Sequence, residues 1–405
     1  MKAKPNDLTH AGAGRNSFDD LQQALHLAVK LELFTIPYYF YTFYSLREPT
    51  SPMGVRLREV IMEEMLHLAI ISNIMHAIKG CSPPAYSPIK KLDPCDPKLI
   101  RKYVPIYPGY APIYRPAEEI KEEGDLRNNI PKDAPCLHLD SLTKEQIVAF
   151  LRLELPELRK TTDPLIPGWQ TIGEFYDYVK TQLLSCTKLE FNSKNQIDLY
   201  THNPTKERNT MSPVRNLKDA LDNIDFIVEQ GEGATFYNLA KHDEKYKLQK
   251  DKRDALVATE IKKTELAHFY HFLLIYEDMG GEATFSIETQ EFDEKVFRDK
   301  FDDVKYDRFR NASVINLVKD PAKALDKYPR VAEEANRIFN SNYSRMLDRL
   351  TCASVDDHRL NFGIALEQMT KFDELADKVK EYTLEGDSTT YCGPTFEYIC
   401  PKLSL

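Results

Sequence analysis

The chain has 405 residues, of which 42% are hydrophobic, and it carries 54 Lys and Arg against 63 Asp and Glu residues. This length and composition favour a globular protein with a large core over a disordered chain. A formal net charge of −9 disfavours a nucleic-acid partner, which requires a basic face. Neither G-x-G-x-x-G nor G-x-x-x-x-G-K-[S/T] occurs, so the usual phosphate-binding loops are excluded.

The seven cysteines are odd in number, dispersed and without a C-x-x-C pair. In so long a chain they indicate reduced thiols, not a disulfide framework or a thiolate zinc site. The N-terminal segment lacks the apolar core of a secretory signal. The longest strongly apolar stretch, residues 31–44, is too short to span a bilayer. The sequence therefore predicts a soluble cytoplasmic protein with no membrane partner.

Long helical patterns open the chain, and strand signals are weak throughout, so the sequence predicts an all-α protein. The first helix is expected over about 18–46, and Pro37 inside it predicts a kink near Leu33 because proline removes a backbone donor. A second helix is expected over about 53–79, with Gly80 at the C′ position that glycine favours.

Residues 83–135 differ from the helical regions because they contain 11 of the 24 prolines and several tyrosines. Such a stretch cannot form one regular helix or a central strand. It is either an ordered surface excursion or a lid or pocket wall, since long irregular segments in compact domains are often functional. Both interpretations stay open.

Helical patterns follow over six further ranges: 144–155, 172–185, 213–229, 251–279, 329–350 and 359–382. Ser212 and Pro213 are expected to start the third of these as N-cap and first helical residue. The charged run 241–254 is expected to be a solvated surface. The glycines at 280–281 are expected to end the fourth long helix, and an irregular tail follows the last one.

Two Glu-x-x-His pairs are the first candidate functional residues. Glu64 and His67 lie on the second predicted helix, and Glu265 and His268 repeat the spacing on the fourth long helix. Side chains three apart are neighbours on a helix surface, and each pair continues an apolar stripe that should face the core. A buried carboxylate is costly unless it is paired or bound to metal.

Two further glutamates extend this pattern. Glu32 lies near the middle of the first helix, in line with core residues, and Glu229 lies at a similar depth in the third long helix. Asp225 and Glu232 share the face of Glu229, so the ligand from this helix stays open between Glu229 and Glu232.

The resulting order, Glu, Glu-x-x-His, Glu, Glu-x-x-His along four helices, is that of a dinuclear carboxylate site in a bundle. The predicted ligands are Glu32, Glu64, His67, Glu229, Glu265 and His268. Oxygen and imidazole ligands without thiolate suit iron or manganese better than structural zinc. The alternative is that each pair is an ordinary hydrogen-bonded surface or core pair, which their common register disfavours.

Glu232, Glu154 and Glu63 are weaker metal candidates. Glu63 could replace Glu64 through its i,i+4 relation to His67, but its register is poorer. For Glu154, capping of a helix end or solvent exposure is the favoured interpretation.

Aromatic residues are the candidates for a substrate pocket beside the metals. Tyr39, Phe43 and Phe272 are the residues we expect to line it. Core packing is the favoured interpretation for most aromatic side chains of the first helix.

Several segments resemble, in chain order, landmarks of the ferritin-like family of the iminophenyl-pyruvate dimer synthase type: ELFTIPYYFYTFYSL, EEMLHLAIISNIMHAIKG, FLRLELPE, TIGEFY, FIVEQGEG and ELAHFYHF. Downstream, NYSRMLDRL, IALEQMTKF and GPTFEY are similar to the C-terminal helices and tail of that family. The predicted ligands match its acidic and histidine positions. One departure is His271, which stands where a basic residue is often found.

The resemblance implies a ferritin-like four-helix bundle with additional helices. We expect a flexible N-terminus at 1–16 and the metal-binding bundle at 17–281, with the Pro- and Tyr-rich insertion at 81–142. A C-terminal helical extension at 282–405 is expected to pack on this bundle.

The expected function is that of a dinuclear non-haem iron oxidase or oxygenase. Two iron ions, or manganese, would be the cofactor and O2 the co-substrate. A small organic, amino-acid-derived natural-product intermediate would be the substrate. Alternatives are the oxidative coupling of imines, which the resemblance implies, and a metal-binding pathway accessory without catalysis. A homodimer is compatible with these features, and the oligomeric state stays open.

Overall fold

A computed structural model describes residues 17–80, 105, 107–113, 135–155, 169, 171–194, 196, 213–232, 267–282, 294–351 and 358–399. The predicted flexible N-terminus, the charged run 241–254 and most of the Pro- and Tyr-rich insertion lie outside these ranges. Within them, no helix is long and apolar enough to cross a membrane. Helices dominate the described residues, so the prediction of an all-α fold is confirmed.

The helices, in chain order, are α1 (Ser17–Tyr44), α2 (Pro52–Ala77), α3 (Lys144–Leu153), α4 (Ile172–Ser185), α5 (Leu217–Ile227), α6 (His268–Asp278), α7 (Glu294–Asp299), α8 (Asp303–Ser313), α9 (Arg330–Thr351), α10 (His358–Thr370) and α11 (Phe372–Lys380). A π-helical segment, Val228–Glu232, continues α5, and a 3₁₀ helix, Pro321–Lys327, precedes α9. Two short strands, β1 (Thr383–Leu384) and β2 (Asp387–Tyr391), follow α11.

Helix α1 is the central element of the fold. Asp19 and Asp20 in its first turn complement the positive end of the helix dipole. Every residue from 31 to 46 is buried, so protein surrounds this half of the helix on all sides. The helix continues as one element across Pro37, whose missing N–H leaves the carbonyl of Leu33 without its usual helical donor.

Helix α2 packs along α1 and, with α4, α5 and α6, completes the bundle. Ser51 caps it by accepting a hydrogen bond from the backbone N–H of Gly54, and Pro52 occupies the first helical turn, where its lack of a donor costs nothing. The helix ends at the extended residue Ile78, two residues before Gly80. The placement of Gly80 at C′ is therefore wrong by one position, although this glycine has a positive φ of 82°.

The predicted start of α5 at Ser212 and Pro213 is wrong, because Asn216 is the N-cap. The side chain of Asn216 accepts a hydrogen bond from the N–H of Asp219. Both backbone groups of Val214 are hydrogen-bonded to the side chain of Gln196, each at 2.7 Å. These two bonds hold Val214 outside the helix.

The single helix predicted over 251–279 is also wrong at Ala267. This residue is extended, with φ −66° and ψ 154°, and α6 begins at His268. Residues 251–266, including Glu265, lie outside the described part of the chain. Gly280 has a φ of 97° at the end of α6, as expected for a glycine that terminates a helix.

The C-terminal helices pack on the bundle through one continuous apolar core. The backbone joins the two parts as well, since Arg47 donates to Ser313 at 2.9 Å and Ile315 donates to Ser45 at 2.7 Å. The domain boundary expected at residue 281 stays a prediction.

The predicted helix 359–382 is divided at Lys371 into α10 and α11. The side chain of Phe372, at the division, packs in an aromatic cluster with Phe339 and Phe396. The tail is not wholly irregular as expected, because β1 and β2 form an antiparallel hairpin. Gly386 in its turn has a φ of 80°.

The tail after the hairpin binds along helix α9. Three buried side chains, spaced four residues apart on α9, accept hydrogen bonds from alternate backbone N–H groups of the tail: Asn336 from Thr395, Asn340 from Glu397 and Ser344 from Ile399, at 2.7–3.1 Å. Phe396, between Thr395 and Glu397, has a φ of 51°, so the tail is not a regular strand. Every second residue of the tail still meets a side chain four residues further along α9, and we call these three contacts the ladder.

We expect the substitution Asn340→Ala to lower the free energy of unfolding by about 2–3 kcal/mol. It removes the acceptor of the Glu397 N–H and the donor to Thr395 Oγ1, inside a protein region where water cannot replace them. Urea denaturation measures the change. Asn311→Ala on α8, where the side chain is exposed, is the control and should stay within about 0.5 kcal/mol of wild type. Equal stability of the two variants would contradict the ladder.

Candidate metal centre

Three glutamates and two histidines, each at most 1% exposed, converge inside the bundle. They come from four helices: Glu32 from α1, Glu64 and His67 from α2, Glu154 from the C-cap of α3 and His268 from the start of α6. Their ligand atoms form two groups, and within each group these atoms lie within 4.8 Å of one another. The first position is Glu32, Glu64 and His67, and the second position is Glu64, Glu154 and His268. Glu64 belongs to both.

In the first position, the carboxylate of Glu32 is held between a phenol and a histidine. The hydroxyl of Tyr176, on α4, donates to Glu32 Oε1. The other oxygen, Oε2, lies 3.9 Å from Nδ1 of His67. One oxygen is thus oriented by a neutral donor, while the second is directed to the neighbouring ligand.

The second position repeats this arrangement with Glu154. The hydroxyl of Tyr39 donates to Glu154 Oε1, and Oε2 lies 3.5 Å from Nδ1 of His268. The shared Glu64 accepts a hydrogen bond of 2.7 Å at Oε2 from Thr35. Its Oε1 lies 3.4 Å from Nδ1 of His268.

Both histidines turn Nδ1 to the carboxylates of Glu32, Glu64 and Glu154 and turn Nε2 away from these three groups. His67 Nε2 is 2.9 Å from Oε1 of Gln230, and His268 Nε2 is 3.2 Å from Oε2 of Glu63. In the tautomer that donates from Nε2 to these oxygens, each ring presents the lone pair of Nδ1 to the cluster. The two ring centroids are 5.4 Å apart.

This donor set fits metal binding. Three carboxylates packed together without solvent repel one another and lose hydration, which a cation between them offsets. Oxygen and imidazole ligands without thiolate suit iron or manganese. Glu32, Glu64, Glu154, His67 and His268 could therefore hold two such ions, with Glu64 shared between them.

The π-helical segment explains how α5 reaches this site. Gly231 lies in it with a φ of 142°, a conformation that residues with a Cβ rarely adopt. A Cβ at this glycine would overlap the backbone nitrogen of His268 and lie 3.1 Å from its Cγ. The glycine thus lets the segment contact the start of α6, and the preceding residue, Gln230, reaches His67. π-Helical turns of this kind are frequent at functional sites.

Four of the six predicted ligands are brought together: Glu32, Glu64, His67 and His268. Glu265 lies outside the described residues, and the side chains of Glu229 and Glu232 are not described, although both residues belong to the π-helical segment. As ligands, these three stay predictions.

Glu154 and Glu63 have roles that differ from the favoured sequence interpretations. Glu154 does stand at the C-cap of α3, but its side chain is buried among the ligands, so solvent exposure is wrong. The helix end is covered because α3 packs against α6. Glu63 does not replace Glu64. Its carboxylate contacts the far nitrogen of His268.

Aromatic side chains pack around Tyr39, the residue that donates to Glu154 of the second position. Tyr39 and Phe272 have ring centroids 5.1 Å apart, and Phe150 packs against both at 4.9 and 4.8 Å. Phe43 instead lies under the guanidinium of Arg58, 4.7 Å from its ring centroid. The assignment of Tyr39, Phe43 and Phe272 to a substrate pocket stays a prediction.

The Pro- and Tyr-rich insertion contacts α1 through Tyr107. Its ring stacks on Phe34 at 5.1 Å, and its hydroxyl donates to the carbonyl of the same residue. Burial raises the pKa of the Tyr107 phenol well above its ordinary value. This described piece of the insertion is therefore part of the core.

Three residues that orient the ligands had weak sequence signals. Thr35 lies three residues after Glu32, in the same stripe, so helical spacing could have found it. Tyr176 occurs in TIGEFY and Gln230 in FIVEQGEG, two segments that carried the family resemblance. Nothing in their spacing relates them to Glu32 or His67, because the contacts join distant parts of the chain.

Comparisons with known proteins agree with the helical fold. The model of the ferritin-like family matches residues 25–277. A crystal structure of a ferritin-like protein from Caulobacter vibrioides is similar in fold, with 18% sequence identity and a TM-score of 0.50. The similarity covers 94% of this chain and 98% of that chain. No curated protein matches the sequence.

Proposed function

The chain belongs to the ferritin-like family, and on this premise we propose that it is a dinuclear non-haem iron oxidoreductase that uses O2 on a small organic substrate. The observation that carries the proposal is the pair of buried ligand groups joined by Glu64. Glutamates and histidines that project inward from facing helices hold two metal ions in ferritin-like bundles. Manganese in one or both positions is compatible with the same ligands.

The ligands divide naturally between the two ions. Glu32 and His67 would hold the first ion, Glu154 and His268 the second, and Glu64 would contact both. When bound, two ferrous ions supply the electrons for the reduction of O2. Glu229 and Glu265 stay predicted as further ligands.

The remaining task of the protein is to fix these ligands and to exclude water. The phenols of Tyr176 and Tyr39 hold the two terminal carboxylates, and the hydroxyl of Thr35 holds the shared one. The buried rings of Phe150 and Phe272 pack on Tyr39, and this packing helps to hold the phenol that donates to Glu154.

An aromatic, amino-acid-derived intermediate is the substrate class we propose. The aromatic rings next to Glu154 support it, because such rings bind flat apolar groups well. The resemblance to the iminophenyl-pyruvate dimer synthase type also supports it, and it makes oxidative coupling of imines a candidate reaction.

Metal content after anaerobic reconstitution with ferrous iron tests the centre. We expect about two ions per chain in the wild type and a loss of at least about one ion in each of His67→Ala and His268→Ala, because a complete site should fill and each substitution removes a ligand. His76→Ala is the matched control, since His76 lies on the same helix as His67 and hydrogen-bonds the carbonyl of Lys194. Less than about 0.2 equivalents in the wild type would refute the proposal.

Oxygen consumption by the ferrous protein separates an oxidoreductase from a metal-binding accessory. The proposal requires that the reconstituted protein consume O2 and that a panel of aromatic amines and 2-oxo acids change the rate. Metal binding without O2 consumption would instead support the accessory.

A further inference from the structure

The two metal positions have matching partners for their terminal carboxylates. Tyr176 donates to Oε1 of Glu32, and Tyr39 donates to Oε1 of Glu154. Each donor is a neutral phenol, so these contacts alone would make the two positions alike.

The histidine partners do not match. His268 contacts the carboxylate of Glu63 through Nε2, whereas His67 contacts the amide oxygen of Gln230 through the same ring atom. Hydrogen bonds to an ionised group are roughly twice as strong as neutral ones. A carboxylate partner therefore makes His268 the stronger donor of electron density at Nδ1.

Charge adds to the same difference. Among the side chains that the structure describes, Glu63 brings a fourth carboxylate beside the second position, while Gln230 brings none to the first. A metal cation at the second position would thus be attracted by one more carboxylate, inside a region where water screens little. The stronger hydrogen bond to His268 and the additional negative charge of Glu63 both favour metal binding at the second position.

Local backbone structure maintains the difference. Glu63 precedes the shared ligand Glu64 on α2, so helical geometry fixes its direction. Gln230 reaches His67 from the π-helical segment, whose approach depends on Gly231. The π-helical segment therefore holds the side-chain amide of Gln230 against His67.

We propose that Glu63 and Gln230 are positioning residues that make the two positions unequal, so that the second position binds a divalent metal ion at least about tenfold more tightly and fills first. This inference rests on the proposed dinuclear centre. It concerns the order of filling, which the ligand set alone leaves undetermined.

Stepwise addition of Mn²⁺ to the metal-free full-length protein, followed by the EPR signal of unbound Mn²⁺, tests the inference. We expect two binding steps in the wild type, with Kd values separated by at least about tenfold. Glu154→Ala should remove the tighter step, and Glu32→Ala should remove the weaker one. Two equal steps, or the opposite assignment, would overturn the inference.

Two isosteric substitutions test whether Glu63 and Gln230 cause the difference in affinity between the two positions. Glu63→Gln should weaken the tighter step about 10–100-fold, and Gln230→Glu should tighten the weaker step by about tenfold or more. If Glu63 and Gln230 had only a structural role, each substitution would weaken both binding steps together. The inference instead requires that each substitution change only the step assigned to the histidine it contacts. An unchanged tighter step in folded Glu63→Gln would refute the role of that carboxylate.

The outcomes remain distinguishable if a variant fails to fold. Far-UV circular dichroism of the metal-free protein identifies such a failure, and the other exchange then decides the question. A wild type that binds no Mn²⁺ and no iron overturns the proposed function itself. A wild type that binds two ions with equal affinity overturns only the inequality.

Discussion

Replacing Glu64 by glutamine is expected to abolish the tight binding of both metal ions and, at the same time, to stabilise the metal-free protein. Among the described residues, Glu64 is the one that belongs to both ligand groups, so its loss affects both positions. In the metal-free state, three buried carboxylates repel one another, and glutamine removes one charge while it keeps the size and the hydrogen bond from Thr35. We expect a gain of about 1 kcal/mol or more in the free energy of unfolding.

Urea denaturation with a chelator and with excess Mn²⁺ measures both effects. A ligand at about 1,000 times its Kd stabilises a protein by about 4 kcal/mol, so the wild type should gain about this amount from the metal. Glu64→Gln should gain almost nothing. Glu145→Gln on α3, where the side chain is exposed, should keep the wild-type increment. A full increment in Glu64→Gln would show that the two positions do not share this carboxylate.

The substitution Gly231→Ala is expected to lower the free energy of unfolding by about 3 kcal/mol and to weaken metal binding. The φ of 142° is unfavourable for alanine, and the new methyl group would overlap the backbone nitrogen of His268. To avoid the overlap, the π-helical segment or the start of α6 must move. Either movement displaces Gln230 from His67 or His268 from Glu64.

Gly363→Ala is the matched control for this substitution. Gly363 lies in α10, and no heavy atom of the described residues comes within 4 Å of the point where an alanine methyl group would lie. Alanine also favours helices over glycine by up to about 1 kcal/mol. The control should therefore be slightly more stable than the wild type, with unchanged metal binding. If both glycine variants were equally stable, the close approach of Gly231 to His268 would be wrong.

Much of the fold follows from local patterns in the sequence. The spacing of apolar residues predicted α1, α2, α4 and α9 to within a few residues, because a helix that packs on a core must repeat its apolar face every turn. Prediction failed where distant contacts compete with local signals. Gln196 holds Val214 outside α5, and the approach of Gly231 coincides with the break at Ala267.

In the candidate metal centre, too, local patterns predicted some residues and distant contacts determined others. The register of Glu64 and His67 on α2 identified them as buried candidates, since a polar residue in an apolar stripe must face the core. The burial of Glu154 could not be predicted in this way, because it lies at a helix end where the period of the helix gives no direction. It is buried because α3 packs against α6 and Tyr39 of α1 donates to its carboxylate.

The sequence by itself determined the helical class, the family resemblance and the side chains able to bind metal from α1, α2 and α6. Only the tertiary structure decided which atoms meet: Glu64 between both groups, Glu154 in the second, and Glu63 and Gln230 behind the two histidines. The physical reason is that periodicity determines which face of a helix is buried. It does not determine the position and orientation of that helix relative to residues more than 100 positions away in the chain. The contact between Gln230 and His67 is an example.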